Sequence, residues 1–151
     1  MPAIFPDSLE VLVFNSETGP TLVAAVGLVS PGNKDRPETR RAFAAKCASY
    51  LQQGIGLMIV DIVTNREANL HNQLVHLLEK GDEFLLSTAP LYATAYRPIR
   101  HPASDQIEIW TAILAVGQSL PVLPLALDKG LCVPLDLEGT YTEACQRSRL
   151  V

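Results

Sequence analysis

The side chains most suited to chemistry lie in two short stretches of the sequence. Asp61 stands inside the apolar run LMIVDIV, residues 57–63, where a carboxylate is costly unless a cation, an N–H donor or a metal ion compensates its charge. The turn SPGNK, residues 30–34, could present backbone N–H groups and an ammonium group to an anion. Asp61 is therefore the candidate catalytic or metal-binding acid, with a structural role in holding a loop or an arginine as its alternative. The candidate anion contacts of the turn are Ser30, Asn33 and Lys34.

Other common catalytic and metal-binding patterns are absent from the sequence. The turn lacks the GxxxxGK[ST] spacing of a P-loop, and the chain contains neither a GxSxG nucleophile motif nor an HExxH zinc motif. His71 and His76 are five positions apart, so they would not share one face of a helix, and we expect both to be solvated or partly buried. The cysteines form no CxxC pair, and Cys47 is expected in the core. Carboxylates and lysines remain as the groups on which a site could be built.

The composition is that of a folded domain. The chain has 151 residues, of which 48% are hydrophobic and 19% charged, and its formal net charge is −4. This length fits one domain, residues 1–151. Nucleic-acid binding usually needs a basic surface, so nucleic acid is a possible partner that the net charge does not support. The segment MPAIFPDSLE lacks the pattern of a secretory signal, and no apolar run reaches membrane-spanning length, so we expect a cytoplasmic protein with no membrane partner.

Hydrophobic patterns divide the first part of the chain into two strands, a helix and a third strand. Residues 9–15 and 21–30 predict a β-hairpin, and the second strand is apolar on both faces, as is typical of a central strand. Asp35 is expected to cap the helix that follows. The run 57–63 then predicts a buried strand. A strand, a helix and a buried strand in succession indicate a parallel crossover and therefore an α/β fold.

The second part of the chain predicts a further helix, a second hairpin and a proline-rich segment. A leucine stripe predicts the helix, with a loop containing a shorter helix as the alternative, and two strand-like runs predict the hairpin. In order, these elements are a helix at 66–81, strands at 91–99 and 106–114, a short strand at 122–127 and a final helix at 140–150. Because the segment 120–127 is apolar and rich in proline, we expect an exposed edge that could pair with a second chain, and hence a possible homodimer.

Three segments, taken in order, carry a family resemblance. They are LVAAVGLVSPGNK, RRAFAAKCASYLQQGIGLMIVDIV and YRPI…LPVLPLAL…VPLDLEGTYTEACQR. Together they resemble the bacterial family known as domain of unknown function 4058, over roughly residues 9–150. That family is similar to the PD-(D/E)XK nuclease-like superfamily. The resemblance implies a mixed central sheet flanked by helices with a restriction-endonuclease-like topology, in which the N-terminal part of the family has no counterpart here. In that superfamily, carboxylates on a central hairpin hold a divalent metal and a lysine assists the attacking water.

Position by position, the resemblance keeps two lysines and loses most of the acids, and Val29 stands where the lysine of the superfamily would lie. Gly27 stands where the family has a strand glutamate. Ile59 stands where the family has the glutamate of its VEID segment, and Asp61 matches the aspartate of that segment. Lys34 and Lys46 match the lysines of the turn and of the helix. Because glycine and isoleucine supply no oxygen ligand, the resemblance implies a poor site for Mg²⁺.

These observations lead to three functional hypotheses. The preferred one is a degenerate, non-catalytic nuclease-like domain that acts by binding or self-association and needs no cofactor. The alternative is a Mg²⁺-dependent nuclease that hydrolyses phosphodiesters with Asp61 and Glu10 as its acids and Lys34 or Lys46 as the assisting lysine. The third is a fold fragment whose missing N-terminal part is supplied by a partner chain.

Overall fold

The computed structural model describes residues 9–17, 19–86 and 91–149. The strands are β1 Leu9–Asn15, β2 Thr21–Leu28, β3 Gly56–Asp61, β4 Tyr92–Ile99, β5 Gln106–Ile113, β6 Val122–Ala126 and β7 Cys132–Asp136. The helices are α1 Pro31–Asp35, α2 Pro37–Gln52, α3 Leu70–Leu77 and α4 Leu137–Arg147. None of the helices in these ranges is both long and apolar enough to cross a membrane.

The centre of the fold is a mixed sheet of five strands in the order β1-β2-β3-β4-β5. The pair β1 and β2 is antiparallel, as are β3 with β4 and β4 with β5, whereas β2 and β3 are parallel. Helices α1 and α2 form the connection between the two parallel strands. Both predicted hairpins and the predicted parallel crossover are therefore confirmed, and with them the mixed α/β fold.

Each face of the sheet is covered by a different layer. Helices α2 and α3 pack on one face, where a hydrophobic cluster includes Ala48 and Leu74 from the helices and Tyr96 from β4. The small antiparallel sheet of β6 and β7, together with the start of α4, covers the other face. Residues 23–26 of β2 and all six residues of β3 are buried, as expected for central strands.

The helix predicted after Asp35 is the single helix α2, but a short helix, α1, precedes it and ends at Asp35, so Asp35 does not cap α2. Ser30 caps α1, and Arg36 is extended (φ −122°, ψ 149°) between α1 and α2. Pro37 explains the break at Arg36, because the helical conformation is disfavoured for a residue that precedes proline. The later helices also differ in length from the prediction. Asn69 caps α3, which is the shorter helix after a loop, and Asp136 caps α4, which starts three residues earlier than expected.

The segment 120–127 is less exposed than predicted, and Val122 is its one exposed residue. Strand β6 pairs along its whole length with β7, a strand that was not predicted, and its Leu123 and Leu125 are buried against the large sheet. Gly56 permits this packing, because a Cβ at that position would lie 1.9 Å from the backbone oxygen of Ala126. The outer strands of the large sheet are β1 and β5.

Candidate functional site

The centre of the candidate site is a buried ion pair between Asp61 and Lys34. Asp61 is the last residue of β3 and Lys34 lies in α1, and the Lys34 Nζ is 2.8 Å from the Asp61 Oδ2. Both side chains are fully buried. The other carboxylate oxygen accepts a hydrogen bond of 3.0 Å from the backbone N–H of Val63. Asp61 thus ties the end of β3 to the loop that follows and to the turn that leaves β2.

The turn that carries Lys34 is held by its own side chains. The Ser30 N–H donates to the Asn33 Oδ1 at 2.8 Å, and the Asn33 N–H points back to the Ser30 Oγ at 3.4 Å, which together form a capping box. Arg40 donates from its Nη1 to the Lys34 carbonyl oxygen at 2.9 Å. Ser30 and Asn33 therefore use these polar groups to fix the turn, and the turn directs Lys34 inward toward Asp61 rather than outward toward an anion.

The electrostatic state of Asp61 follows from its burial. Desolvation raises the pKa of the Asp61 carboxyl group, and the hydrogen bonds from Lys34 and from the Val63 N–H, which lower it, offset that effect only in part. A carboxylate in this position has its charge compensated by an internal ammonium group. The Asp61 carboxylate is not exposed to solvent, so a metal ion from solution cannot reach it in this conformation.

Ile59, two residues before Asp61 on β3, and its neighbour Gly27 on β2 supply no acid, and an aromatic ring lies beside Gly27. In the register of the sheet, Gly27 lies between Glu10 on β1 and Ile59 on β3. A Cβ at Gly27 would lie 3.5 Å from the Cζ of Phe43, which projects from α2. The ring of Phe43 therefore packs over the site at which a strand glutamate would begin.

A second polar cluster, formed by Glu10, Lys46 and Tyr50, lies between β1 and α2. The two Glu10 carboxylate oxygens accept hydrogen bonds from the Lys46 ammonium group and from the Tyr50 hydroxyl group. Burial and the Glu10 carboxylate raise the pKa of Tyr50, so its phenol stays protonated and donates. These three residues, with Gly27 and Phe43, border a cavity of about 230 Å³.

The structure therefore separates the predicted site residues into two pairs, Lys34 with Asp61 in the interior and Lys46 with Glu10 near the surface. Within residues 9–17, 19–86 and 91–149, no hydrogen bond or ion pair links one pair to the other. The same residues contain no group of three or more histidine, cysteine, aspartate or glutamate side chains that could hold a metal ion. The donor set around Asp61 does not fit Mg²⁺, which prefers several oxygen ligands.

A buried histidine is the polar residue that the sequence analysis placed incorrectly. His71 is fully buried. Its Nε2 lies 2.8 Å from the Phe84 carbonyl oxygen, which can only accept, so Nε2 carries the proton. The Nδ1 atom then accepts from the Tyr96 hydroxyl group at 2.6 Å, and the His71 backbone N–H donates to the Tyr92 oxygen at 3.0 Å. Tyr92 and Tyr96 are four positions apart on β4 and therefore share one face of the strand, as the sequence shows. Nothing in the sequence connects them to His71.

Cys47 is confirmed as a core residue of α2. Burial raises the pKa of its thiol group to about 12, so the sulfur stays protonated at neutral pH. A protonated, buried thiol is a poor nucleophile. Cys47 therefore contributes packing rather than chemistry.

Comparisons with known proteins found no match to this chain. No protein-family model matches the chain, no curated protein matches it, and no solved structure matches it.

Proposed function

We propose that this protein is a non-catalytic, nuclease-like α/β domain that acts by binding a partner macromolecule. The observation that carries the proposal is the Lys34–Asp61 ion pair, which is fully buried and internally neutralised. A metal-dependent nuclease needs acids whose oxygens face a substrate cleft, where the metal can contact the scissile phosphate. Asp61 cannot serve in this way without leaving Lys34 unpaired in the interior, at a cost of several kcal/mol.

The order of the elements supports the nuclease-like part of the proposal. An antiparallel hairpin, β1 and β2, is followed by a helical crossover to the parallel strand β3, and Lys34 and Asp61 come from the two ends of this crossover. The family resemblance matches Asp61 and Lys34 to an acid and a lysine of that family. The proposal is that the framework of such a site is retained while its metal-binding acids are lost.

Two strand positions near Asp61, Gly27 and Ile59, support the non-catalytic part of the proposal. Gly27 and Ile59 are adjacent in the sheet and supply no oxygen ligand. Glu10 is the remaining acid in this register, and its carboxylate is bound by Lys46 and Tyr50. A metal ion on Glu10 would lie beside the Lys46 ammonium group, whose like charge opposes its binding.

Calorimetric titration with Mg²⁺ and Mn²⁺ tests the proposal, together with a cleavage assay on single-stranded and double-stranded DNA and RNA. We expect no saturable binding of either metal and no cleavage above a blank without protein. The matched variants are Asp61→Asn, which removes the interior carboxylate, and Glu10→Gln, which removes the carboxylate near the surface.

The result that would overturn the proposal is saturable metal binding or metal-dependent cleavage by the wild type. Loss of that signal in Asp61→Asn but not in Glu10→Gln would then assign it to Asp61. Circular dichroism of each variant separates such a loss from unfolding. If Asp61→Asn does not fold, the wild-type titration and cleavage assay alone still decide between the two functions.

A further inference from the structure

Strand β1 is an outer strand of the large sheet, and its side chains are unusually apolar for that position. Four of its seven residues are large hydrophobic side chains that are between 41% and 59% exposed. They are Leu9, Val11, Leu12 and Phe14. An outer strand presents a row of backbone N–H and C=O groups that another strand can pair with.

The features that normally protect an outer strand are largely missing from β1. Its sequence, LEVLVFN, contains no lysine and no proline. Its single charged residue, Glu10, lies near one end and is already bound by Lys46 and Tyr50. A register shift between Val13 and Phe14 affects only the second half of the strand. The opposite outer strand, β5, carries two exposed large hydrophobic side chains, Trp110 and Ile113, against four on β1.

We propose that β1 pairs in antiparallel orientation with β1 of a second copy of this chain, about a two-fold axis that passes through Leu12. Leu12 is the central residue of β1, so full overlap of Leu9–Asn15 from the two copies places the two-fold axis at Leu12. Glu10 of each protomer then faces Phe14 of the other copy rather than its own equivalent. The single charge of the strand therefore meets no like charge across the axis.

The available surface is sufficient for a reversible dimer. Leu28, which is opposite Leu9 on β2, adds a further exposed side chain beside the strand. Even complete burial of these side chains would remove at most roughly 1,000 Å² over both protomers, which is at the lower limit for a specific interface. The dimer is therefore expected to dissociate on dilution. The inference rests on the proposed binding function and names its partner, but metal binding and self-association are measured separately, so either can fail alone.

Sedimentation velocity over a range of protein concentrations tests the proposal. The wild type should shift from the monomer toward the dimer as concentration rises. Leu12→Lys and Leu12→Glu each place like charges directly opposite across the axis, so each should remain monomeric. An equimolar mixture of the two variants should recover the dimer, because the opposite charges then face each other. Ile113→Lys, at an exposed position on β5, is the matched control and should behave as wild type.

Disulfide cross-linking tests the orientation of the strands in a background with Cys132→Ser and Cys145→Ser. Leu12→Cys should form a covalent dimer on mild oxidation. Asn15→Cys should not, because antiparallel pairing separates the two copies of that residue by about 20 Å. A wild type that is monomeric at every concentration, a mixture that does not associate, or equal cross-linking at both positions would each overturn the proposal.

Discussion

Removal of one member of the Lys34–Asp61 pair should destabilise the protein far more than removal of both. The two side chains are fully buried, and their Nζ and Oδ2 atoms are 2.8 Å apart. Deleting one partner leaves an uncompensated interior charge, which typically costs about 3–5 kcal/mol of unfolding free energy. Lys34→Met and Asp61→Leu should each show this loss, whereas the double variant should fall within about 1 kcal/mol of the wild type or exceed it.

The pH dependence of Lys34→Met gives an independent check with a defined sign. Burial already raises the pKa of Asp61 above its usual value of 3.8, and removal of Lys34 takes away the main influence that lowers it. The folded protein then binds a proton that the unfolded chain does not. Relative to the wild type at the same pH, the unfolding free energy of the variant should therefore increase as the pH falls from the raised pKa toward 3.8, by at most about 1.4 kcal/mol per pH unit.

Urea denaturation of the four proteins in the cycle, followed by circular dichroism at several pH values, measures both effects. The reasoning is refuted if the single variants lose less than about 1 kcal/mol, or if their losses simply add in the double variant. It is also refuted if the deficit of Lys34→Met grows on acidification. Arg147→Met, which removes an exposed ion pair with Glu143, is the control and should change stability by less than about 1 kcal/mol.

Two further predictions concern glycine and histidine. Gly27→Ala should be neutral or stabilise the protein by up to about 1 kcal/mol in thermal unfolding, because the new Cβ makes only an ordinary contact with Phe43. Gly56→Ala should cost about 1–3 kcal/mol or more, because the new Cβ would overlap Ala126. A large loss of stability in Gly27→Ala would contradict this reasoning. Burial lowers the pKa of His71 below its usual 6.5, so the unfolded chain binds a proton that the folded protein does not. The unfolding free energy should therefore fall as the pH drops below 6.5. In urea titrations His71→Gln should flatten this dependence, whereas the control His101→Gln, at an exposed position, should leave it unchanged.

Much of the fold follows from local patterns in the sequence. Strands β1 and β2 are short apolar runs separated by a turn, so their antiparallel pairing needs no long-range information. The parallel crossover follows from the order of a strand, a helix and a buried strand. Strand β7 was missed because Pro134 interrupts it, and only its pairing with β6, where Pro124 lies opposite, identifies it as a strand.

The candidate site was predictable to a smaller extent. A carboxylate within an apolar strand must have a partner, so the sequence identified Asp61 as a buried acid. It did not identify the partner, because Lys34 reaches Asp61 only when α1 turns back over the end of β3. The same holds for Glu10, which only the alternative hypothesis placed with Asp61 and which binds Lys46 and Tyr50 in the structure.

The sequence by itself thus determined the α/β class, the two hairpins, the central position of β2 and β3, and the need to compensate Asp61. The tertiary structure decided which charges meet, that Phe43 lies beside Gly27, and how His71 is buried with Tyr92 and Tyr96. It also decided that the segment 122–126 is covered while β1 forms the apolar outer strand. The physical reason is that strand and helix periodicity depends on neighbours in sequence, whereas ion pairing and burial depend on contacts between residues that are far apart along the chain.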